Sequence, residues 1–290
     1  MQAIAKWLVA RPHNAVLALI VTLLLPAPQI TSGAIIVLLF LAQGMRLAVT
    51  QALIAAAIVV VVTLIVGGAP GSVFVLLAST WVPAALLAIM LARTRSLTLV
   101  VQVSVIVVVM TMLVFYSVVR DPAEFWQPFL TTMSETVKAT GLYLDERVLT
   151  ADVAAVSVVL GLWLLYVGGF LLGYVAYQKL RGVIDDFGRL RDLNLGRVIA
   201  LTVALMSLLA WVIDVPWVQN IAFVVFVMFT LQGVAIGHWF VGKKKLPSGA
   251  LVAVYVMMVL PLLQELVIVI LAVVGYTDAW FDYRRRFEKA

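Results

Sequence analysis

Apolar residues dominate this chain in nine stretches separated by short polar breaks. They run approximately over residues 14–28, 30–43, 47–67, 71–92, 97–119, 151–177, 195–214, 217–240 and 248–275. A helix rises about 1.5 Å per residue, so roughly 20 residues cross the hydrocarbon core of a bilayer. Seven of the nine stretches reach that length, and the first two are shorter. Lipid offers no partner for backbone N–H and C=O groups, so the segments are predicted to be α-helices. The expected fold is all-α: a polytopic transmembrane helical bundle of eight or nine membrane segments, forming a single transmembrane domain over residues 1–290.

Two weaker patterns predict helices that do not cross. In 121–147, Trp126, Phe129, Leu130, Met133 and Val137 recur at helical spacing after Asp121-Pro122. Proline suits the first turn of a helix. An aromatic stripe suits either a helix lying in the outer interface or a lid over the bundle. In 178–196, Leu180, Val183, Ile184, Phe187 and Leu190 form a stripe opposite Arg181, Asp185, Asp186, Arg189 and Asp192. This reads as a cytoplasmic amphipathic helix. It is either a surface linker or a docking site, with Phe187, Leu190 and Arg189 as the docking candidates.

Composition narrows the class. The chain is 64% hydrophobic and 12% charged, against roughly 25% charged in soluble domains. No polar stretch is long enough for a separate soluble domain. The formal charge of +6 points to the membrane rather than nucleic acid, because the basic residues sit in short loops. There are no cysteines, which excludes disulfides and thiolate metal sites. With the N-terminus in the cytoplasm, Lys6, Arg11, Arg46, Arg93, Arg95, Lys179, Arg181, Arg189, Arg191, Arg197 and Lys243–Lys245 fall inside. The loop 120–152 and the turn at Asp214-Val215-Pro216 then lie outside. Nine crossings would strand Arg284–Arg286 outside, against the positive-inside rule. Eight would bring the C-terminus in, with the short pair 14–43 or the Pro261-broken last segment failing to cross. Lys6 and Arg11 before an apolar run ending at Pro26-Ala27-Pro28 resemble a signal peptide. Eight further apolar segments favour a retained first segment.

Small residues four apart mark close helix packing. They are Ala48/Ala52/Ala56, Ala84/Ala88/Ala92, Gly169/Gly173 and Gly233/Gly237. Most such seams are expected inside the bundle. Polar residues within apolar segments are costly and point to function. Glu265 and Gln264 follow Pro261, which lacks an N–H and should open the helix near residue 257. Broken helices of this kind carry solute sites in transporters. Gln232, beside Gly233, is the third candidate; its alternative role is to tie two helices together. In Ser79-Thr80-Trp81-x-Pro83 the hydroxyls are expected to satisfy carbonyls that the proline frees. His13 and His238 stand alone, so no metal site and no cofactor are expected. Gly237 to Lys244 mimics a phosphate loop but lacks the following Ser or Thr and a preceding strand. No hydrolase arrangement, zinc-protease pattern or Asp-rich magnesium motif is present. The reading is therefore not an enzyme.

The C-terminal third carries a more specific pattern. Phe229-Thr-Leu-Gln232-Gly-Val-Ala-Ile236, the Lys243–Lys245 loop, the Pro261 segment and Gly275-Tyr-Thr-Asp278-Ala-Trp-Phe-Asp282-Tyr-Arg284-Arg-Arg286 follow in order. Together they resemble the YybS-like family of bacterial membrane proteins of unknown function. That family is distantly similar to the S components of energy-coupling-factor transporters. The resemblance implies an S-component-like bundle in the bacterial inner membrane that binds a small solute and docks on a transmembrane transporter subunit. Two functions are carried forward. One is binding or translocation of a small solute, with Gln232, Gln264, Glu265 and Pro261 at the site. The other is a non-transporting scaffold or assembly partner for another membrane protein. A cavity shared by the polar residues would favour the first. Polar residues satisfied in pairs would favour the second.

Overall fold

The computed structural model describes residues 1–139, 150–181, 187–213 and 215–289. Among the described residues every regular element is helical. Seven helices are long and apolar enough to cross a membrane. They are α4 (Met45–Ile65), α5 (Pro70–Thr94), α6 (Leu97–Val118), α8 (Ala151–Arg181), α9 (Gly196–Ile213), the pair α10 (Pro216–Met228) and α11 (Thr230–Gly242) taken as one span, and α13 (Pro261–Phe281). The remaining helices are α1 (Gln2–Ala10), α2 (Pro12–Leu23), α3 (Pro28–Gln43), α7 (Pro122–Ala139), α12 (Ser248–Val259) and α14 (Tyr283–Lys289). If α1 and α2 form one broken span, the candidates number eight. The chain packs as two compact units, 1–96 with 162–187 and 97–161 with 188–290.

The first unit is built around α3. Nine consecutive residues of α3, Ser32 to Phe40, are buried. A mostly apolar helix buried on all of its faces is a core element. Its sixteen residues make it about 24 Å long, short of the roughly 30 Å hydrocarbon core. Its neighbours approach through small residues. A Cβ on Gly169 would stand 2.5 Å from the Gln29 carbonyl oxygen, and Gly173 faces the Ala34 carbonyl and Val37. Gly33 meets Ala84 on α5 at 3.6 Å. The Trp81 indole N–H donates to Ser32 Oγ at 2.8 Å, tying α5 to α3. Before α3, helices α1 and α2 meet at a 117° bend at Arg11-Pro12. Asn14 secures it by donating to the Trp7 carbonyl at 2.7 Å.

The second unit is built around α10–α11. The chain stays helical through Phe229 (φ −63°, ψ −12°). Of its most apolar stretch 72% is buried, against 17–33% for the other long spans. It is the core of this unit, and the others present apolar faces outward. At one end lie the residues around Arg191 and the Lys243–Lys245 loop. At the other lies an aromatic cluster of Phe115, Tyr116, Phe125, Trp126, Phe129 and Trp217, in edge and tilted contacts.

Two sequence expectations change here. The stretch 248–275 is not one crossing. It is α12 and α13, separated by Leu260 in an extended conformation (φ −78°, ψ 118°). Proline disfavours the helical conformation in the residue before it, and it opens α13 as the first residue. After α13 the chain is back at the Lys243–Lys245 end. Lys243 pairs with Glu288 at 3.1 Å, Lys245 donates to the Phe287 carbonyl, and Phe240 packs edge-on against Phe287. The chain therefore leaves that end through α12 and returns to it through α13.

The segment 178–196 is not one amphipathic helix. α8 is described as far as Arg181, and residues 182–186, with Val183, Ile184, Asp185 and Asp186 of the stripe, lie outside the described residues. Gly188 has φ +92° and Gly196 has φ +83°, which break a right-handed helix. Only a single 3-10 turn, Leu190–Asp192, lies between them. At 121–147, α7 begins after Asp121 as expected and is described to Ala139; residues 140–149 lie outside the described residues, as does Asp214.

Candidate functional site

Asp278 sits one turn from the end of α13, in a helix that is otherwise nearly all apolar. Its side chain is 0% exposed. Oδ2 accepts from Arg284 at 2.8 Å and from the Gln232 amide at 2.8 Å. Oδ1 accepts the Tyr283 backbone N–H at 2.9 Å. Asp278 and Arg284 can meet because Asp282, with φ +47°, ends α13 in the left-handed region and turns the chain back. Asp tolerates that region better than bulkier residues do. A buried carboxylate needs both a counter-charge and hydrogen bonds. Here it has both.

The network's other side supports irregular backbone. Residues 193–195 are not helical, so their N–H and C=O groups need partners from elsewhere. The Leu195 N–H donates to Gln232 Oε1 at 2.8 Å. Gln102 Nε2 donates to the Asn194 and Leu195 carbonyls at 3.2 and 3.0 Å. Arg284 donates to the Arg191 carbonyl at 3.0 Å. Asn194 Oδ1 accepts the Gly196 N–H at 2.8 Å. Gln102, Gln232 and Arg284, the last two joined through Asp278, thus pin the 191–196 segment to α6, α11 and the start of α14.

The candidates named from the sequence divide. Gln232 is fully buried (0% exposed), and its carbonyl and amide both have protein partners. Glu265 is exposed and Gln264 half-buried. The partner of Gln232 on α13 lies thirteen residues beyond Glu265, about 20 Å along the helix. The structure therefore does not bring Glu265 to Gln232. Pro261 opens α13, and the Leu260 carbonyl accepts the Gln264 N–H at 2.9 Å. Of the docking candidates, Phe187 belongs to the first unit and stacks on Tyr177 at 6.3 Å. Arg189 and Leu190 belong to the second. Ser79 Oγ donates to the Leu76 carbonyl at 3.1 Å, while the buried Thr80 hydroxyl has no hydrogen-bond partner among the described residues. His238 shares a hydrogen bond of 2.7 Å with the Tyr255 hydroxyl. Among the described residues no group of three His, Cys, Asp or Glu could hold a metal ion.

Three cavities stand out. One of about 190 Å³ is apolar and lined by residues of α6, α9 and α10, including Val109, Met206 and Val225. One of about 170 Å³, also apolar, lies beside Phe40, Ala52 and Trp81 in the first unit. The third, about 230 Å³, is lined by Arg197, Trp280, Phe281, Asp282, Arg285 and Arg286. Glu265, Gln264, Gln232 and Pro261 line none of the three.

Asp278 and Arg284 were not singled out by sequence reasoning, although both stand in the motif that carried the family resemblance. The usable signal was a carboxylate in the last turn of an apolar helix, followed six residues later by an arginine. Comparison with known protein families, curated proteins and solved structures found no match. The several long apolar helices make this a multi-pass membrane protein in its architecture.

Proposed function

We propose that this protein is a non-transporting membrane bundle, a scaffold or assembly partner for another membrane protein, rather than a carrier of a small solute. The observation that carries this reading is the closure of Gln232. A solute-binding amide keeps a donor or acceptor facing a cavity. Gln232 has both groups bonded within the protein, to Asp278 and Leu195. Glu265 is exposed and far from it along α13. The solute reading, implied by the resemblance to S components, needs these residues to converge.

The finer topology belongs to the same proposal. The basic end of the second unit, with Arg191, Arg197, Lys243–Lys245 and Arg284–Arg286, faces the cytoplasm of a bacterial inner membrane. The N-terminus lies on the cytoplasmic side as well. The aromatic end lies in the outer interface.

The test is complementation of a strain lacking the protein. Glu265→Gln combined with Gln264→Ala should restore the wild-type phenotype at wild-type membrane abundance. Loss of the phenotype with abundance unchanged would return the solute-binding reading to first place.

A further inference from the structure

The network around Asp278 also shapes what lies just beyond it. Asp282 turns the chain, and Arg285 and Arg286 follow in α14. With Arg197 at the start of α9, they line the cavity of about 230 Å³ against Trp280 and Phe281. Arg286 lies over the Phe281 ring, 5.5 Å from its centroid, a distance suited to cation–π attraction. The lining of the cavity therefore includes three arginines and one acidic residue, Asp282.

These arginines lack acidic partners among the described residues. Asp282 lines the cavity without an ion pair to them, and the other nearby carboxylates are engaged elsewhere: Asp278 with Arg284, Glu288 with Lys243 and Asp192 with Arg191. Guanidinium groups bind phosphate oxygens in bidentate geometry. The aromatic wall is the last turn of an apolar span. Trp280 is 37% exposed and Phe281 is 49% exposed. Aromatic side chains in that position favour the membrane–water boundary. Basic pockets at helix ends on the cytoplasmic side suit anionic headgroups.

We propose that Arg197, Arg285 and Arg286 form a binding site for the phosphate of an anionic lipid headgroup, with its acyl chains running along Trp280 and Phe281. The Asp278–Arg284 pair acts as the positioning element, because it fixes the turn that delivers Arg285 and Arg286 to Arg197. This site does not depend on the scaffold role, but it rests on the proposed cytoplasmic placement of the basic end.

The experiment is native mass spectrometry of the full chain in detergent, titrated with phosphatidylglycerol or phosphatidylcholine. The wild type should retain phosphatidylglycerol preferentially. Arg197→Gln with Arg285→Gln should weaken that binding about tenfold or more, at roughly a severalfold loss per arginine near an anionic surface. Arg189→Gln with Lys244→Gln removes two charges from the same end outside the cavity, and it should keep the preference. Equal losses in the two double variants would mean diffuse attraction and overturn the site. So would a wild type without preference. Soluble glycerol phosphate should not displace the lipid. If it does and is itself retained, the ligand is a free phosphate ester and the lipid assignment falls. Unchanged elution volume and melting temperature in both variants confirm that the bundle is intact.

Discussion

A Cβ placed on Gly275 would stand 2.8 Å from the backbone nitrogen of Gly233. The two glycines let α13 and α11 meet backbone to backbone, and each also faces a carbonyl of the opposite helix: Gly275 that of Phe229, Gly233 that of Leu271. Membrane helices lack a hydrophobic force driving them together, so close packing carries more of the association.

Gly275→Ala and Gly233→Ala should each destabilise the second unit by about 1–3 kcal/mol or more, because the clash is with backbone that cannot rotate away. Gly161→Ala and Gly168→Ala, which meet nothing within 4 Å, should be neutral or slightly stabilising through helix propensity. Thermal unfolding in detergent, followed by circular dichroism, compares the four.

Asp278→Asn should be costlier than its size suggests. It removes the counter-charge of Arg284, whose side chain is 12% exposed. Breaking a buried pair from one side costs about 3–5 kcal/mol. The pair Asp278→Asn with Arg284→Gln should recover part of that loss. A double-mutant cycle on melting temperatures measures the coupling, and strict additivity would show that the pair contributes nothing.

Positions 244 and 286 should lie on one side of the membrane and position 126 on the other. The natural chain has no cysteine, so single cysteines report cleanly to an impermeant thiol reagent. Labelling of 286 together with 126 rather than with 244 would contradict the return of the chain through α13.

Asp121 caps α7. Its Oδ1 accepts the Ala123 and Glu124 N–H groups at 2.9 and 3.1 Å. Asp121→Ala should cost about 1 kcal/mol locally. Hydrogen exchange in the first turn of α7 should accelerate accordingly, with the cores around α3 and α11 unaffected.

The membrane bundle was legible because the apolar stretches are long and lipid leaves the backbone no choice but helix. The start of α7 was legible because Asp121-Pro122 is a local signal. The reversal at Leu260 was half legible: Pro261 marked a break, but only contacts of Lys243 and Lys245 with residues over forty positions away show that the chain comes back. The 178–196 stripe misled because its apolar spacing fits a helix, while Gly188 and Gly196 carry the conformations that interrupt it. Gln232 stood out as a polar residue in an apolar span. Its partners did not, because Asp278 and Arg284 looked like ordinary boundary residues until the left-handed turn at Asp282 joined them.

The burial of α3 has a consequence for biogenesis. This helix ends at Gln43, yet Gly169 and Gly173, against which it packs, are made some 130 residues later. At about 5–20 residues per second, the ribosome takes roughly 6–26 s to reach them. During that interval α3 is a short, largely apolar helix without the α8 glycine face, next to the insertion machinery or the lipid. Its earliest shelter is α2, with Thr31 Oγ1 donating to the Thr22 carbonyl at 3.1 Å. The nascent hairpin of α2 and α3 must therefore wait, already formed, for a wall that arrives from the middle of the chain.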